Sequence, residues 1–294
     1  MTPLPEILRK ERILLGPEAL GLPEIRMLGR LNYSRAHQPL RIHDHPGCME
    51  ICFLSKGRQS YFVGPREYAL AGGDLFLTFP DEKHSTGRRP EEKSILYWLI
   101  VDLSRGSGPF LGLVPDQARE LRKGLLSLKT RLFRGGAALR DILDDLIALA
   151  HGAEVPLQGL RMRNKLVDFL LQVIYYGRKK AAPEALHPLK AVLDRIHGRL
   201  EEKLSVTDLA ALAGLSVSRF KAKFKRIMGM PPGEYMLRRK VERAQELLGQ
   251  GGSSVTSVAF DLDFSSSQYF ATVFKRYTGK NPGSFLGRKK GQSA

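Results

Sequence analysis

Three imidazoles and one carboxylate gather in the first third of the chain: His43-Asp44-His45, then Glu50, then His84 beyond Pro80. Neutral imidazole and ionised carboxylate form a donor set suited to Zn, Ni, Fe or Mn. The same four groups suit a polar pocket that hydrogen-bonds a small molecule without metal, and both readings stay open. Pro46-Gly47 supplies the irregularity that brings Glu50 to the side of the histidines. Alternation along a strand then puts Cys48 and Cys52 on Glu50's face. Two cysteines are too few for a disulfide framework or a four-cysteine zinc site, so they read as reduced core residues. Tyr97 and Trp98 are adjacent on an apolar run, so only one can face the same pocket; there it could stack on a sugar face.

A second constellation lies in the last hundred residues, where one phrase is written twice. Phe224-Lys225-Arg226-Ile227-Met228-Gly229 leads to Pro232-Gly233 and Arg238-Arg239-Lys240; Phe274-Lys275-Arg276-Tyr277-Thr278-Gly279 leads to Pro282-Gly283 and Arg288-Lys289-Lys290. Each copy reads as a helix-turn-helix, and two copies on one chain make a bipartite DNA reader. The chain carries 47 Lys+Arg against 30 Asp+Glu, and residues 188–294 hold 19 basic and 9 acidic side chains. A positive excess concentrated in one segment marks polyanion binding, because neutralised phosphates release counterions.

The elements that must position these groups follow from period and punctuation. From about 25 to 103, short apolar or alternating runs (50–54, 59–63, 74–79, 94–101) are separated by Gly57, Gly64-Pro65, Gly72-Gly73 and Gly87, which predicts an antiparallel barrel or sandwich. From about 115 the period becomes helical: Leu139, Ile142, Leu143, Leu146 and Ile147, then Leu160, Leu166, Phe169, Leu170, Val173 and Ile174. These helices offer a dimer surface or a contact for the DNA reader. The basic stretch Arg178-Lys179-Lys180-Ala181-Ala182-Pro183 to Pro188 is taken as a linker, giving domains 1–180 and 181–294.

Within 188–287, Ser205 is read as a helix cap with Asp208 three residues on, and Gly214 as the left-handed turn. Phe220, Phe224, Ile227 and Met228 form the inward stripe of the first recognition helix. Ser218, Lys221, Ala222 and Lys225 face outward, with Arg219 on the flank. A strut helix through Leu237, Val241, Ala244 and Leu248 follows. The second recognition helix buries Phe270, Val273, Phe274 and Tyr277 and shows Ser267, Gln268, Ala271, Thr272 and Lys275. Gln268 is the leading base reader, since an amide can pair with both major-groove edge atoms of adenine. The apolar runs are too short to cross a bilayer and the first residues lack a charged start and hydrophobic run, so a cytoplasmic protein with no membrane role is expected.

Residues 188–287 resemble the tandem helix-turn-helix domain of the AraC/XylS family of bacterial transcription regulators. The likeness is carried by Asp208-Leu209-Ala210, Ala213-Gly214-Leu215-Ser216, Arg243-Ala244-Gln245-Glu246-Leu247-Leu248, Val258-Ala259, Phe264-Ser265-Ser266, Tyr269-Phe270 and both Phe-Lys-Arg tripeptides. One departure is Asp263, where the family has glycine; aspartate tolerates a left-handed backbone, so the turn is expected to survive. His-x-His-x4-Glu-x6-Gly, with Gly73-Asp74 and Pro80 to His84, resembles the two motifs of the cupin superfamily, whose enzymes hold a divalent metal on three histidines and a glutamate. The resemblance implies an α+β protein: an N-terminal cupin-like antiparallel β-barrel with packed helices, then an all-α tandem helix-turn-helix domain. It further implies a homodimeric, non-enzymatic regulator, usually an activator. Such a protein binds double-stranded promoter DNA and RNA polymerase and is controlled by a small-molecule effector, often a sugar, with no cofactor required. The alternative is a metal-binding cupin enzyme fused to a DNA-binding tail.

Overall fold

The computed structural model describes residues 6–104, 110–136, 138–152, 155–179 and 189–287. The 181–188 part of the linker, with Lys180, and the basic Arg288-Lys289-Lys290 lie outside the described residues. The chain forms two compact units. One comprises Met1–Tyr33, Pro39–Arg89 and Ser94–Ala182; the other comprises Pro183–Ala294 with the short segments Ser34–Gln38 and Pro90–Lys93.

The first unit is built on an antiparallel sheet. Its strands are β1 (Arg12–Leu15), β2 (Ile25–Tyr33), β3 (Cys48–Val63), β4 (Arg66–Ala71), β5 (Asp74–Thr78), β6 (His84–Ser85), β7 (Ser94–Asp102) and β8 (Leu132–Arg134). Their order is β1-β2-β7-β3-β5-β8, with β4 and β6 also paired to β3. The pattern of short runs predicts a barrel, but the described ladder does not close: the four-residue β1 and three-residue β8 end the path and do not pair with each other. Gly57 does not separate two strands either. It lies inside β3 at φ 97°, beside a register shift between Leu54 and Lys56, and lets one long strand change neighbours. Residues Glu50–Leu54 pair with β5, and Arg58–Val63 pair with β4.

Alternation on β3 and β7 sorts the two faces of this sheet. Met49, Ile51, Phe53, Tyr97, Leu99 and Val101 enter a core with the helices α2 (Pro115–Leu126), α3 (Ala138–His151) and α4 (Gln158–Arg178); the four-residue helix α1 (Pro17–Leu20) adds Leu20. Cys52, Leu54, Phe76 and Leu96 lie on the opposite face, with Trp98 packed against them. The helical stripe of α4 is buried as its period predicts at Leu166, Phe169, Leu170, Val173 and Ile174, whereas Leu160 turns outward at 41% exposure. A buried polar link joins sheet and helix: Arg30 Nε donates to the Tyr97 hydroxyl at 3.1 Å, and that hydroxyl donates to Asp144 Oδ1 at 2.5 Å. Burial and then Asp144 push the Tyr97 phenol up to about 12.

The second unit is all helical: α5 (Lys190–Gly198), α6 (Val206–Leu212), α7 (Val217–Met228), α8 (Pro232–Gln250), α9 (Val255–Asp261) and α10 (Ser267–Thr278). Four of them start on a serine whose hydroxyl accepts a backbone N–H: Ser205 from Asp208, Ser216 from Arg219, Ser254 from Ser257 and Ser266 from Tyr269. Phe220, Phe224, Phe270, Val273 and Phe274 are fully buried with Val241, Ala244 and Leu248 of α8, while Ile227, Met228 and Tyr277 pack at the edge. Nineteen residues make α8 a strut of about 28 Å. His197 and the Tyr235 hydroxyl, 2.9 Å apart, tie α5 to it.

The two turns are built alike. Leu215 N–H donates to the Ala210 carbonyl and Phe264 N–H to the Ala259 carbonyl, both at 3.0 Å. Gly214 takes φ 64° and Asp263 takes φ 54°, so aspartate does occupy the left-handed position. Its carboxylate is held by Lys240 of α8 at 3.1 Å, a contact glycine lacks. Asp263→Val is expected to lower unfolding free energy by about 1–2 kcal/mol, since a β-branched side chain fits this backbone worst. Asp263→Gly should change it by less than about 0.5 kcal/mol, relief of the backbone offsetting the lost ion pair. Urea unfolding of the full chain followed by helical circular dichroism measures both.

Candidate DNA interface and ligand site

The outward faces of α7 and α10 carry the side chains the sequence selects for DNA. Ser218, Arg219, Lys221, Ala222 and Lys225 are all exposed on α7. On α10, Gln268, Thr272 and Lys275 are exposed, while Ser267 and Ala271 are half-buried. Each helix thus presents a polar and basic surface opposite a phenylalanine stripe, as a groove-entering helix requires. In the free protein Gln268 Oε1 accepts from the Ser267 hydroxyl at 3.3 Å, and the Thr272 hydroxyl donates to the Gln268 carbonyl at 3.0 Å. The first bond orients the amide and leaves its NH2 group available to a base edge. Sequence reasoning gives no role to Tyr269, which is 44% exposed beside Gln268 and 6.0 Å from Phe264.

In the first unit, three separate segments bring His43, His45, Glu50 and His84 together. One ligand atom from each lies within 4.8 Å of the others. The Cys48 N–H donates to the His45 carbonyl at 3.0 Å across Pro46-Gly47, with Gly47 at φ 66°. That is a tight turn with proline second and glycine third, and it folds the histidine segment back onto the start of β3. His43 and His84 exchange backbone hydrogen bonds of 3.1 and 2.9 Å, which fixes the segment to β6. Their rings lie 4.2 Å apart between centroids.

The outer atoms of the rings are anchored. His43 Nδ1 lies 2.9 Å from the Arg41 carbonyl and His84 Nδ1 lies 3.1 Å from the Glu82 carbonyl, so each Nδ1 carries a proton and each Nε2 turns inward. Glu82 is itself clamped by Arg131 at 2.6 and 2.8 Å and by the Phe79 N–H at 2.7 Å. No sequence signal marks this support, because Arg131 is remote in the chain. Burial raises the Glu82 carboxyl, but Arg131 outweighs it and holds it below its ordinary value.

Inward, Glu50 Oε2 stands 2.7 Å from His84 Nε2 and 3.6 Å from His45 Nε2. All three atoms are buried, and none has a well-directed hydrogen-bond partner. A bare nitrogen lone pair facing a carboxylate oxygen at that distance is repulsive unless a cation or a proton lies between them. Burial opposes ionisation of Glu50, yet His45 and His84 bring its carboxyl down to about 2. Burial likewise lowers the His84 imidazolium, and Glu50 more than reverses this, so the ring is held above its ordinary value. The four donors lie close enough together to hold a divalent ion.

Trp98, not Tyr97, shares Glu50's face. It pairs with Cys52, whose thiol lies 3.7 Å from Glu50 Oε1, and its indole covers Gly29, where a Cβ would fall 2.0 Å from the ring. Cys48 and Cys52 are both buried, and neither forms a disulfide.

Two family models match the chain: a helix-turn-helix domain over residues 209–288 and an AraC-like ligand-binding domain over residues 31–161. This chain belongs to the AraC family of transcription regulators. The HTH-type transcriptional activator AarP of Providencia stuartii is 34% identical over 109 residues, covering 37% of this chain and 80% of AarP. The HTH-type transcriptional regulator YfiF of Bacillus subtilis is 24% identical over 266 residues, 85% of this chain and 79% of YfiF. The DNA-binding domain of AdpA, solved with a target DNA, is 31% identical, covering 33% of this chain and 88% of that one at a TM-score of 0.32. The protein is thus a regulator with a ligand-binding domain and a helix-turn-helix DNA-binding domain. None of its described helices is long and apolar enough to cross a membrane.

Replacing Gln268 by Ala should cost about 1–3 kcal/mol at one base-pair position and leave other positions intact. Lys225→Ala should instead weaken binding evenly across sequences and lower the salt slope by about one. Fluorescence anisotropy on a panel of single-base operator variants at several salt concentrations separates the two outcomes.

Proposed function

We propose that this protein is an activator of transcription whose promoter binding is set by a ligand at His43, His45, Glu50 and His84, a divalent metal ion being the group these side chains take. One observation carries the reading: His45 Nε2, His84 Nε2 and Glu50 Oε2 are buried, close together and without directed partners. Such an ion would supply the positive charge that Glu50 and the inward lone pairs require. The protein's own residues do the rest. His43 and His45 come from one segment, Glu50 from β3 and His84 from β6, so filling the site ties three backbone segments together. A ligand that prefers the tied state shifts the population toward it by its differential affinity for the two states.

A second reading, a polar small molecule such as a sugar held directly by these groups, is favoured by His43 and His45, which are only half-buried and leave an approach from solvent. In both readings the protein acts in the cytoplasm as a homodimer that recruits RNA polymerase, and the cluster serves sensing, not turnover. The relatives' names as regulators and activators support this over an enzyme with a DNA-binding tail.

The test is thermal unfolding and promoter-fragment binding of chelator-treated protein with Zn, Ni, Mn or ferrous ion added. A specific ion at about a hundredfold excess over Kd should stabilise the native state by about 2.7 kcal/mol and change promoter affinity. His84→Ala should abolish both effects. Stabilisation by a sugar but by no metal would transfer the site to the second reading. Metal-dependent turnover of a small molecule, with promoter affinity unchanged, would favour the enzyme.

A further inference from the structure

The two recognition helices share a frame but differ in the chemistry they present. Residues fifty positions apart correspond, from the Ser216 and Ser266 caps to Gly229 and Gly279. Helix α7 carries five basic side chains, Arg219, Lys221, Lys223, Lys225 and Arg226, and no acidic one. In α10 the charges are Lys275 and Arg276, both in the last turn, so Ser267 to Phe274 is uncharged. Where α7 has Ser218 and Ala222, α10 has Gln268 and Thr272, both exposed. Phosphates are held by cations, whereas base edges are read by amides and methyl groups. Helix α7 is thus equipped to grip the backbone and α10 to read sequence.

One hydrogen bond decides what Thr272 shows. Its hydroxyl donates to the Gln268 carbonyl at 3.0 Å, one helical turn back. The oxygen is thereby turned to the backbone, and the group the side chain offers outward is its methyl. Gln268 lies four positions earlier on the same face, about 6 Å along the axis. Ser267 donates to its Oε1 alone, so the amide keeps its NH2 group for a partner. We propose that α10 reads an A·T step: Gln268 takes the N6 and N7 edge of an adenine, and Thr272 packs its methyl on the 5-methyl of a thymine in the same or a neighbouring base pair. The spacing fits, because base pairs rise about 3.4 Å and about 6 Å spans fewer than two of them. The same face discriminates against G·C. Guanine presents two acceptors, which sets its O6 against Gln268 Oε1, and cytosine has no methyl for Thr272. The inference rests on the reading of α10 as a groove-entering helix and names the bases it selects.

The test lets the full chain select its duplex from a random-sequence pool, then replaces each thymine of that duplex singly by uracil, which removes only the 5-methyl. Anisotropy measures the wild type, Gln268→Ala, Thr272→Ser and Thr272→Val on every duplex, with circular dichroism as the folding control. Gln268→Ala should lose its preference at one adenine. Uracil within two base pairs of that adenine should weaken the wild type about fourfold, as loss of one buried methyl predicts. Thr272→Ser keeps the hydroxyl without the methyl and should bind the thymine and uracil duplexes alike. Thr272→Val keeps a methyl and should retain the difference. A difference that persists in Thr272→Ser, vanishes in Thr272→Val or is absent from the wild type would overturn the thymine contact. A G·C pair at the position where Gln268→Ala loses its preference, or no such position, would overturn the adenine contact. A chain that selects no sequence at all fails earlier, as a DNA reader.

Discussion

One strand holds the first unit together. β3 is sixteen residues long and is hydrogen-bonded to β4, β5, β6 and β7, so four neighbours take their register from it. A strand can serve so many partners only if it bends, and the irregularity between Leu54 and Lys56, with Gly57 in a left-handed backbone, provides the bend. Because side chains alternate, the same strand sends Met49, Ile51 and Phe53 to the helices and Glu50, Cys52 and Leu54 to the other face. A slip of one residue would exchange the carboxylate for a methionine or an isoleucine. The histidine–glutamate cluster and the helical core are thus two consequences of one register.

That register also explains why a charged group survives in a buried place. Glu50 is 7% exposed and His84 2%, and groups so placed must be paired with charge or neutralised. The His43 and His84 imidazoles are held from behind by the Arg41 and Glu82 carbonyls, and Glu82 by Arg131, so their inner nitrogens cannot turn away. Arg30, Tyr97 and Asp144 occupy the helix side of β2 and β7 directly behind Gly29 and Trp98. The sheet is therefore polar on both sides along this line, with the Arg30–Tyr97–Asp144 link on one and the Glu50 cluster on the other.

The second unit uses a different economy of parts. Serine caps, phenylalanine stripes and left-handed turns recur in both helix-turn-helix copies, and α8 packs against the core they share. Where the copies differ, a compensating contact is present: Asp263 replaces glycine at the second turn and is matched by Lys240. Capping and stripe periodicity are local properties, which is why the DNA reader is legible in the sequence alone.

By itself the chain's residue order determined the strand-rich first half, the helices α3 and α4, both helix-turn-helix copies with the Ser205 cap and the outward side chains, and the four donors at His43, His45, Glu50 and His84. Each depends on spacing over a few residues, where backbone period and side-chain chemistry are read together. Tertiary structure decided what spacing cannot encode. It left the sheet open where a barrel pattern was read, ran one strand through Gly57, set Trp98 and not Tyr97 beside Glu50, turned Leu160 outward, and clamped Glu82 with Arg131. These outcomes follow from pairings between residues far apart in the chain, whose partners are chosen by which faces remain to be buried once the local elements exist.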